Sequence, residues 1–425
     1  MKIEVEIVSK EIIKPSSPTP DHLRHYQLSF LDQISPLVYN PLVIFFAKQS
    51  FNNNTHMISN QLKKSLSDIL TRYYPLAGRV RDNKFIDCND KGVPFLETRV
   101  RCQISNIIQN PIPSELNKLV PFQLDNVTDI AFGVQLNLFD CGGVAIGTCL
   151  SHQIADALSF FVFLNSWAAT SRGQPDIVRT EFVSAALFPP INTSGFDPRI
   201  GVVKEENTVC KRFVFDAPAI EALRDKYVDH ENQNRPSRVE ALSAFLWSRI
   251  SLMAKENKTD QHHHQRVFVV IHAVNLRPRM EPPLPEYSFG NYYRFTITFP
   301  SMDNGEDGLV QQVRDQIKNI DKDYVKKLQD GNSHLDFLKE SSSRFMKGEM
   351  VSFSFTSLCK FPLYDTDFGW GKPTWVGSPA LTFKNLVIFV DTKLGDGIEA
   401  YISFKVEDMA KFQVDEELLA YCNEV

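Results

Sequence analysis

The chain has 425 residues, a formal charge of −5, 43% hydrophobic residues and 23% charged residues. That length asks for more than one cored unit, and two is the expectation. The acidic balance offers no basic field to nucleic acid or to an anionic membrane surface, so neither partner is expected.

In chain order, Ile3, Val5 and Ile7 alternate with Lys2, Glu4 and Glu6, which reads as a half-buried strand and not as a targeting segment. KPSSPTP at 14–20 holds neither ladder nor helix and should run extended, and LSFLDQ at 28–33 starts the next element. Leu62, Leu66, Ile69 and Leu70 recur at helical spacing, with Lys63, Lys64 and Asp68 opposite. The spacing predicts an amphipathic helix from Ser59 to Tyr73, stopped by Pro75. FIDCND followed by KGVPFLETRV reads as a hairpin closed by Asp90 to Gly92. The longest apolar runs, such as PLVIFF at 41–46, are far too short to span a membrane.

Residues 130–140 predict another strand, turned by Gly142 and Gly143 into a fully apolar one, Val144 to Leu150. Ser151 and His152 follow, then Asp156 in the first turn of a helix whose Leu158, Phe160, Phe161, Phe163, Leu164 and Trp167 leave no polar face. Such a helix belongs inside a large protein. A histidine at the C-terminal end of a buried strand sits where α/β enzymes place chemistry. Of the ten histidines only His152 has an aspartate four residues on. The plainer reading of this spacing is a buried histidine bonded to a backbone carbonyl, with Asp156 as a helix cap.

From Gln174 to Asn207 prolines and glycines break all periodicity, as in an inter-domain crossover. Strand structure restarts at KRFVFD, and helices are predicted over Pro218 to Val228 and Ser237 to Leu252. Ser237 and Glu240 form a capping box at the start of the latter. The HHH run inside 255–266 reads as a polar loop and not as a metal site. Seven cysteines with no C-x-x-C pair suggest a reduced, cytoplasmic setting without zinc, so no metal is expected. The strand VFVVIHAVNL leads to a proline-rich loop with Arg277 and Arg279. Residues 309–329 predict one charged amphipathic helix, and LVIFVD and IEAYISF are the last strands. No G-x-S-x-G or G-x-x-x-x-G-K-[ST] run occurs, which argues against a serine hydrolase elbow and a phosphate-cradling P-loop.

The pentapeptide Asp367-Phe368-Gly369-Trp370-Gly371, the His152/Asp156 pair, IKPSSPTP, YYPLAGRV, FDCGGVAIGTCLSH, NLRPRMEPPLP and GDGIEA occur in an order that resembles the plant BAHD acyltransferases over nearly the whole chain. Within that family they look most like the vinorine-synthase-like branch of alkaloid and alcohol acetyltransferases. Two departures are Ala157, where many relatives have glycine, and Asn275, where many have aspartate. The resemblance implies two chloramphenicol-acetyltransferase-like α/β domains, each a mixed sheet flanked by helices, with the active channel between them. The division expected is 1–185, a crossover loop at 186–208, and 209–425.

It also implies transfer of an acetyl or other short acyl group from acyl-CoA to a hydroxyl of a specialised metabolite. Acyl-CoA is then a co-substrate, the other partner is a small-molecule acceptor, no cofactor is permanently bound, and the chain is a monomer. His152 is the general base of a direct transfer, since an alcohol must lose its proton as it attacks and neutral imidazole suits that task. By the same resemblance Asp156 pairs with Arg277 to hold the histidine loop. Asp367 anchors its own loop, Trp370 is one candidate oxyanion donor beside nearby amides, and Ser237 and Arg238 meet coenzyme A. An amine acceptor and a non-catalytic binding protein are the alternatives.

Overall fold

The computed structural model describes residues 2–47, 55–174, 179–199, 207–228, 234–256, 267–300 and 307–424. The triple histidine at 262–264 lies outside these.

Two sheets dominate. The first has six strands in the order Val5–Ile13, Val93–Val100, Phe132–Phe139, Val144–Ser151, Tyr39–Phe46 and Trp375–Gly377. The second has seven, in the order Tyr293–Thr298, Val267–Asn275, Met350–Ser357, Leu386–Asp391, Ile398–Lys405, Thr208–Phe215 and Asn423–Glu424. Both mix parallel and antiparallel pairs, and both carry helices. The fold is therefore the pair of sheet-bearing α/β domains that the resemblance implied.

The histidine strand Val144–Ser151 is buried at every position, between Phe132–Phe139 and Tyr39–Phe46. Gly147 is required there, because a Cβ would stand 1.8 Å from the Leu119 carbonyl oxygen. The helix that follows, Ala157–Ser171, packs against helix Thr55–Leu70 and buries Trp167 completely, as its unbroken apolar surface demands.

Two sequence expectations are corrected. Phe85–Asp87 and Val93–Val100 do not pair as a hairpin. The former joins His25–Gln27 and Arg79–Arg81 in a separate three-stranded sheet, while the latter pairs with Val5–Ile13 and Phe132–Phe139. Between them Asp90 accepts hydrogen bonds from the Thr19 N–H at 2.9 Å and hydroxyl at 2.6 Å, and Gly92 takes φ 86°, so the chain changes sheets instead of doubling back. The predicted helix over 309–329 is two helices, Asp307–Lys318 and Lys322–Asp330. Asp321 caps the second by accepting from the Tyr324 N–H. A third helix, Asn332–Met346, has no counterpart in the sequence reading.

The halves are joined by long-range pieces. Strand Trp375–Gly377 arrives from far along the chain and pairs with Tyr39–Phe46. The Trp375 indole N–H then donates to Glu399 at 3.3 Å, and Glu399 forms a buried ion pair with Arg212 at 2.7 Å. Among the described residues no helix is long and apolar enough to cross a membrane, and no His/Cys/Asp/Glu group is arranged to hold a metal.

Candidate active site

A cavity of about 1190 Å³ lies between the two sheets. The first half contributes Asn40, Leu42, His152, Phe160 and Phe161 to its wall, and the second half Ile271, Tyr293, Ser354, Phe361 and Ile388. Its surface is mostly apolar, with a few polar groups at intervals, as expected of a pocket for an organic ligand.

His152 ends the apolar strand, half-buried in the cavity wall, with its ring centroid 5.3 Å from that of Tyr293. Its backbone is fixed on both sides. Its N–H donates to the Val38 carbonyl at 2.9 Å, and its carbonyl accepts from the Asn291 carboxamide at 2.9 Å. Nδ1 is buried and has no partner of good hydrogen-bond geometry. Burial lowers the imidazole pKa from the usual 6.5, against the opposing pull of its own carbonyl, Asp156 and Asn291. The ring is therefore neutral at neutral pH. Nδ1 is the enclosed nitrogen of the ring, which leaves Nε2 as the one open to a ligand's proton.

Asp156 is the N-cap of helix Ala157–Ser171, one position before the first turn where the sequence placed it. Its Oδ1 accepts from the Ser159 N–H at 2.9 Å, and its Oδ2 from the Tyr292 N–H at 2.9 Å. Both oxygens also face Arg277, which donates from Nη1 at 2.8 Å and Nη2 at 3.1 Å. Arg277 is only 2% exposed and donates further to Ser159 Oγ and the Ser288 carbonyl, with the Tyr292 ring 4.7 Å below its guanidinium. Burial raises the Asp156 pKa, but the arginine and the amides outweigh it and hold the carboxyl below the ordinary 3.8. None of these bonds reaches the imidazole, so Asp156 is not a triad-like orienter of His152. Asn275, the departure from the family pattern, accepts from the Arg277 N–H at 3.1 Å.

The Asp367–Gly371 loop lies elsewhere. Asp367 Oδ1 accepts from the N–H groups of Gly369 at 2.8 Å and Gly371 at 2.9 Å, and both glycines take positive φ, 109° and 101°. Phe368 is fully buried against Trp167, and its carbonyl accepts from Gln61 at 2.8 Å and Ser171 at 3.0 Å. Trp370 packs on Phe46 and Phe368. Neither Asp367 nor Trp370 lines the cavity, so the indole is not brought to the imidazole as an oxyanion donor.

Ser237 and Glu240 do form the capping box, at 2.8 and 3.2 Å. Arg238 at that helix start donates to Asp391 at 2.9 Å and to the Gly395 carbonyl at 2.7 Å, so its guanidinium ties the helix to the Asp391–Ile398 turn. Sequence reasoning missed Asn291, Tyr293 and Asp32. All three stand behind or beside His152, yet they lie more than a hundred residues from it and belong to no motif.

Two mixed sheets enclosing an apolar cavity with two neutral imidazoles in its wall, His152 at a strand end and His334 on helix Asn332–Met346, define a two-domain acyltransferase fold. A family model described as Transferase family matches residues 3–419. Stemmadenine O-acetyltransferase of Catharanthus roseus is 39% identical over 98% of this chain and 97% of its own. A limonoid 21-O-acetyltransferase of Melia azedarach is 36% identical over 99% of this chain and 98% of its own. The crystal structure of vinorine synthase, 37% identical and covering 99% of each chain, superposes with a TM-score of 0.86. The protein belongs to this Transferase family, the BAHD acyltransferases, in the vinorine-synthase-like branch, and is an acyl-CoA-dependent acyltransferase.

Proposed function

We propose that the protein moves an acetyl or other short acyl group from coenzyme A directly onto a hydroxyl of a plant specialised metabolite, an alkaloid, terpenoid or sugar-type alcohol, with His152 as general base. The observation that carries this reading is the neutral imidazole in the wall of a cavity shared by both halves. The acceptor hydroxyl gives its proton to Nε2 as its oxygen attacks the thioester carbonyl. The tetrahedral adduct expels the coenzyme A thiolate, which recovers a proton from the imidazolium. No acyl-enzyme forms, and a burst of one in rapid-quench kinetics overturns direct transfer.

Names of relatives favour an alcohol over an amine as the acceptor, since the stemmadenine and limonoid enzymes are both O-acetyltransferases.

In this reading Asp156 and Arg277 hold the histidine loop, Asp367 anchors its own loop and Trp370 packs. Ser237 and Arg238 form a capped, cationic corner for a phosphate of coenzyme A, although Arg238 must then share its contacts with Asp391. The chain divides into units at 1–185 and 209–425 with a crossover at 186–208, and strand Trp375–Gly377 is lent back to the first sheet. The protein acts as a monomer in the cytoplasm. The test is His152→Ala, read as thiol release from acetyl-CoA with a panel of alcohol acceptors. A fall on the order of 100- to 10,000-fold is expected. An unchanged rate overturns the assignment.

A further inference from the structure

Two buried polar groups outside every motif stand directly behind the histidine loop. Asp32, in the short helix Phe30–Gln33, is 0% exposed, and no lysine or arginine pairs with it among the described residues. Its Oδ2 accepts from the Ser29 N–H at 2.8 Å and the Ser29 hydroxyl at 2.7 Å. The second oxygen, Oδ1, is directed across the molecule. It accepts from the Asn291 carboxamide at 2.8 Å and the Asn291 N–H at 3.2 Å, from a residue 259 positions further along.

Asn291 is also 0% exposed, and the same Nδ2 donates to the His152 carbonyl at 2.9 Å. An amide nitrogen carries two hydrogens, so one points at the carboxylate and the other at the peptide of the reactive loop. The orientation of the carboxamide is thereby fixed, since its oxygen turned to either acceptor would face another oxygen. On the other side of His152 its N–H is bonded to the Val38 carbonyl at 2.9 Å. Both peptide units flanking the His152 Cα are thus tied, one of them only through Asn291.

Asp32 Oδ2 and Ser29 Oγ together form the capping box of this four-residue helix, each accepting from the other's N–H at 2.8 and 3.1 Å, and that cap does not call for the bonds at Oδ1. A buried carboxylate without a cation is costly, and burial pushes the Asp32 pKa up to about 6 in spite of five N–H and O–H donors, the Ser184 hydroxyl at 3.5 Å among them. That expense has a use if the charge sets the rotamer of Asn291.

We propose that Asp32 and Asn291 are positioning residues for catalysis: the carboxylate orients the Asn291 carboxamide, whose second N–H fixes the His152 carbonyl and with it the place of the imidazole in the cavity. This rests on His152 being the base. Displacing a reacting group by about 1 Å costs on the order of 100-fold in rate, so one hydrogen bond to this backbone has leverage.

The experiment exchanges the two residues. Asp32→Asn and Asn291→Asp are made singly and together, and melting temperature, thiol release from acetyl-CoA and the KM for acetyl-CoA are measured. The double exchange restores one carboxylate facing one carboxamide, so it should recover most of the melting temperature. A carboxylate at 291 has no hydrogen for the His152 carbonyl, so kcat should stay roughly 10- to 100-fold low while KM holds. If turnover returns together with the melting temperature, the pair is merely structural and the proposal is overturned.

Asn291→Ala is the second variant, compared with the wild type in the His152 Cε1–H NMR resonance, identified by its loss in His152→Ala. A shifted or broadened resonance supports positioning, and an unmoved one with wild-type kcat sinks it. The resonance does not depend on turnover, so it still decides the positioning claim if thiol release proves independent of His152.

Discussion

Residues 152–156 and 367–371 are the two motif loops, and the structure uses them in opposite ways. The first sends its side chains outward. His152 faces the cavity, and Asp156 reaches across to Arg277 and Tyr292 in the second half. The second turns its carboxylate inward on its own glycines and offers the Phe368 carbonyl to Gln61, midway along helix Thr55–Leu70, and to Ser171 at the end of helix Ala157–Ser171. It buries Phe368 and is followed by strand Trp375–Gly377 on the first sheet. Under the proposed function one motif marks chemistry and the other chain routing. What separates them is whether the polar side chains leave the loop.

The contrast is broken most directly at Asp156. Asp156→Asn removes one partner of a buried, hydrogen-bonded ion pair and should cost about 3–5 kcal/mol of folding stability together with activity, measured by urea denaturation. Retention of full stability with loss of all rate would give Asp156 a chemical task and erase the distinction drawn here.

Acid sharpens it next. The His152 pKa lies below 6.5 in the folded chain, so the unfolded chain takes up its proton first as pH falls. The histidine's contribution to stability is complete above pH 6.5 and declines below it, and kcat/KM should show an acid limb below 6.5 as the base is protonated. Asp156 behaves alike at lower pH, its contribution being present above 3.8 and lost as pH falls below that value. A pH–rate profile and melting temperatures over the same range check both. An acid limb centred above 6.5 would contradict the apolar setting of the ring.

The smallest effect belongs to Asp367→Ala. It deletes an acceptor for two N–H groups on a partly exposed loop, which should cost about 1–2 kcal/mol and leave kcat within a few-fold of wild type. A loss comparable to that of His152→Ala would move this loop into the chemistry.

Much of the site was legible locally. The strand that ends at His152, the all-apolar helix after it and the capping box of Ser237 and Glu240 follow from spacing within a few residues. The Asp156 and Arg277 partnership came from the resemblance, since 121 residues separate them. The false hairpin at Asp90 to Gly92 has a clear cause. Two strands flanking a turn look alike whether they pair with each other or join different sheets, and Thr19 decided the matter from outside the window. The break in the helix predicted over 309–329 was readable in principle, because Asp321 is a good N-cap three residues before Tyr324.

By itself the sequence determined the elements with strong period or caps, the family and the place of His152 at the end of a buried strand, because those signals lie within a helical turn or a strand repeat. Only the tertiary structure decided what surrounds that imidazole: the Tyr293 ring, the Asn291 carboxamide, the Asp32 carboxylate behind it and a cavity walled by both sheets. These are contacts between residues far apart in the chain. Which distant groups meet is set by how whole sheets pack, and no local pattern encodes that choice.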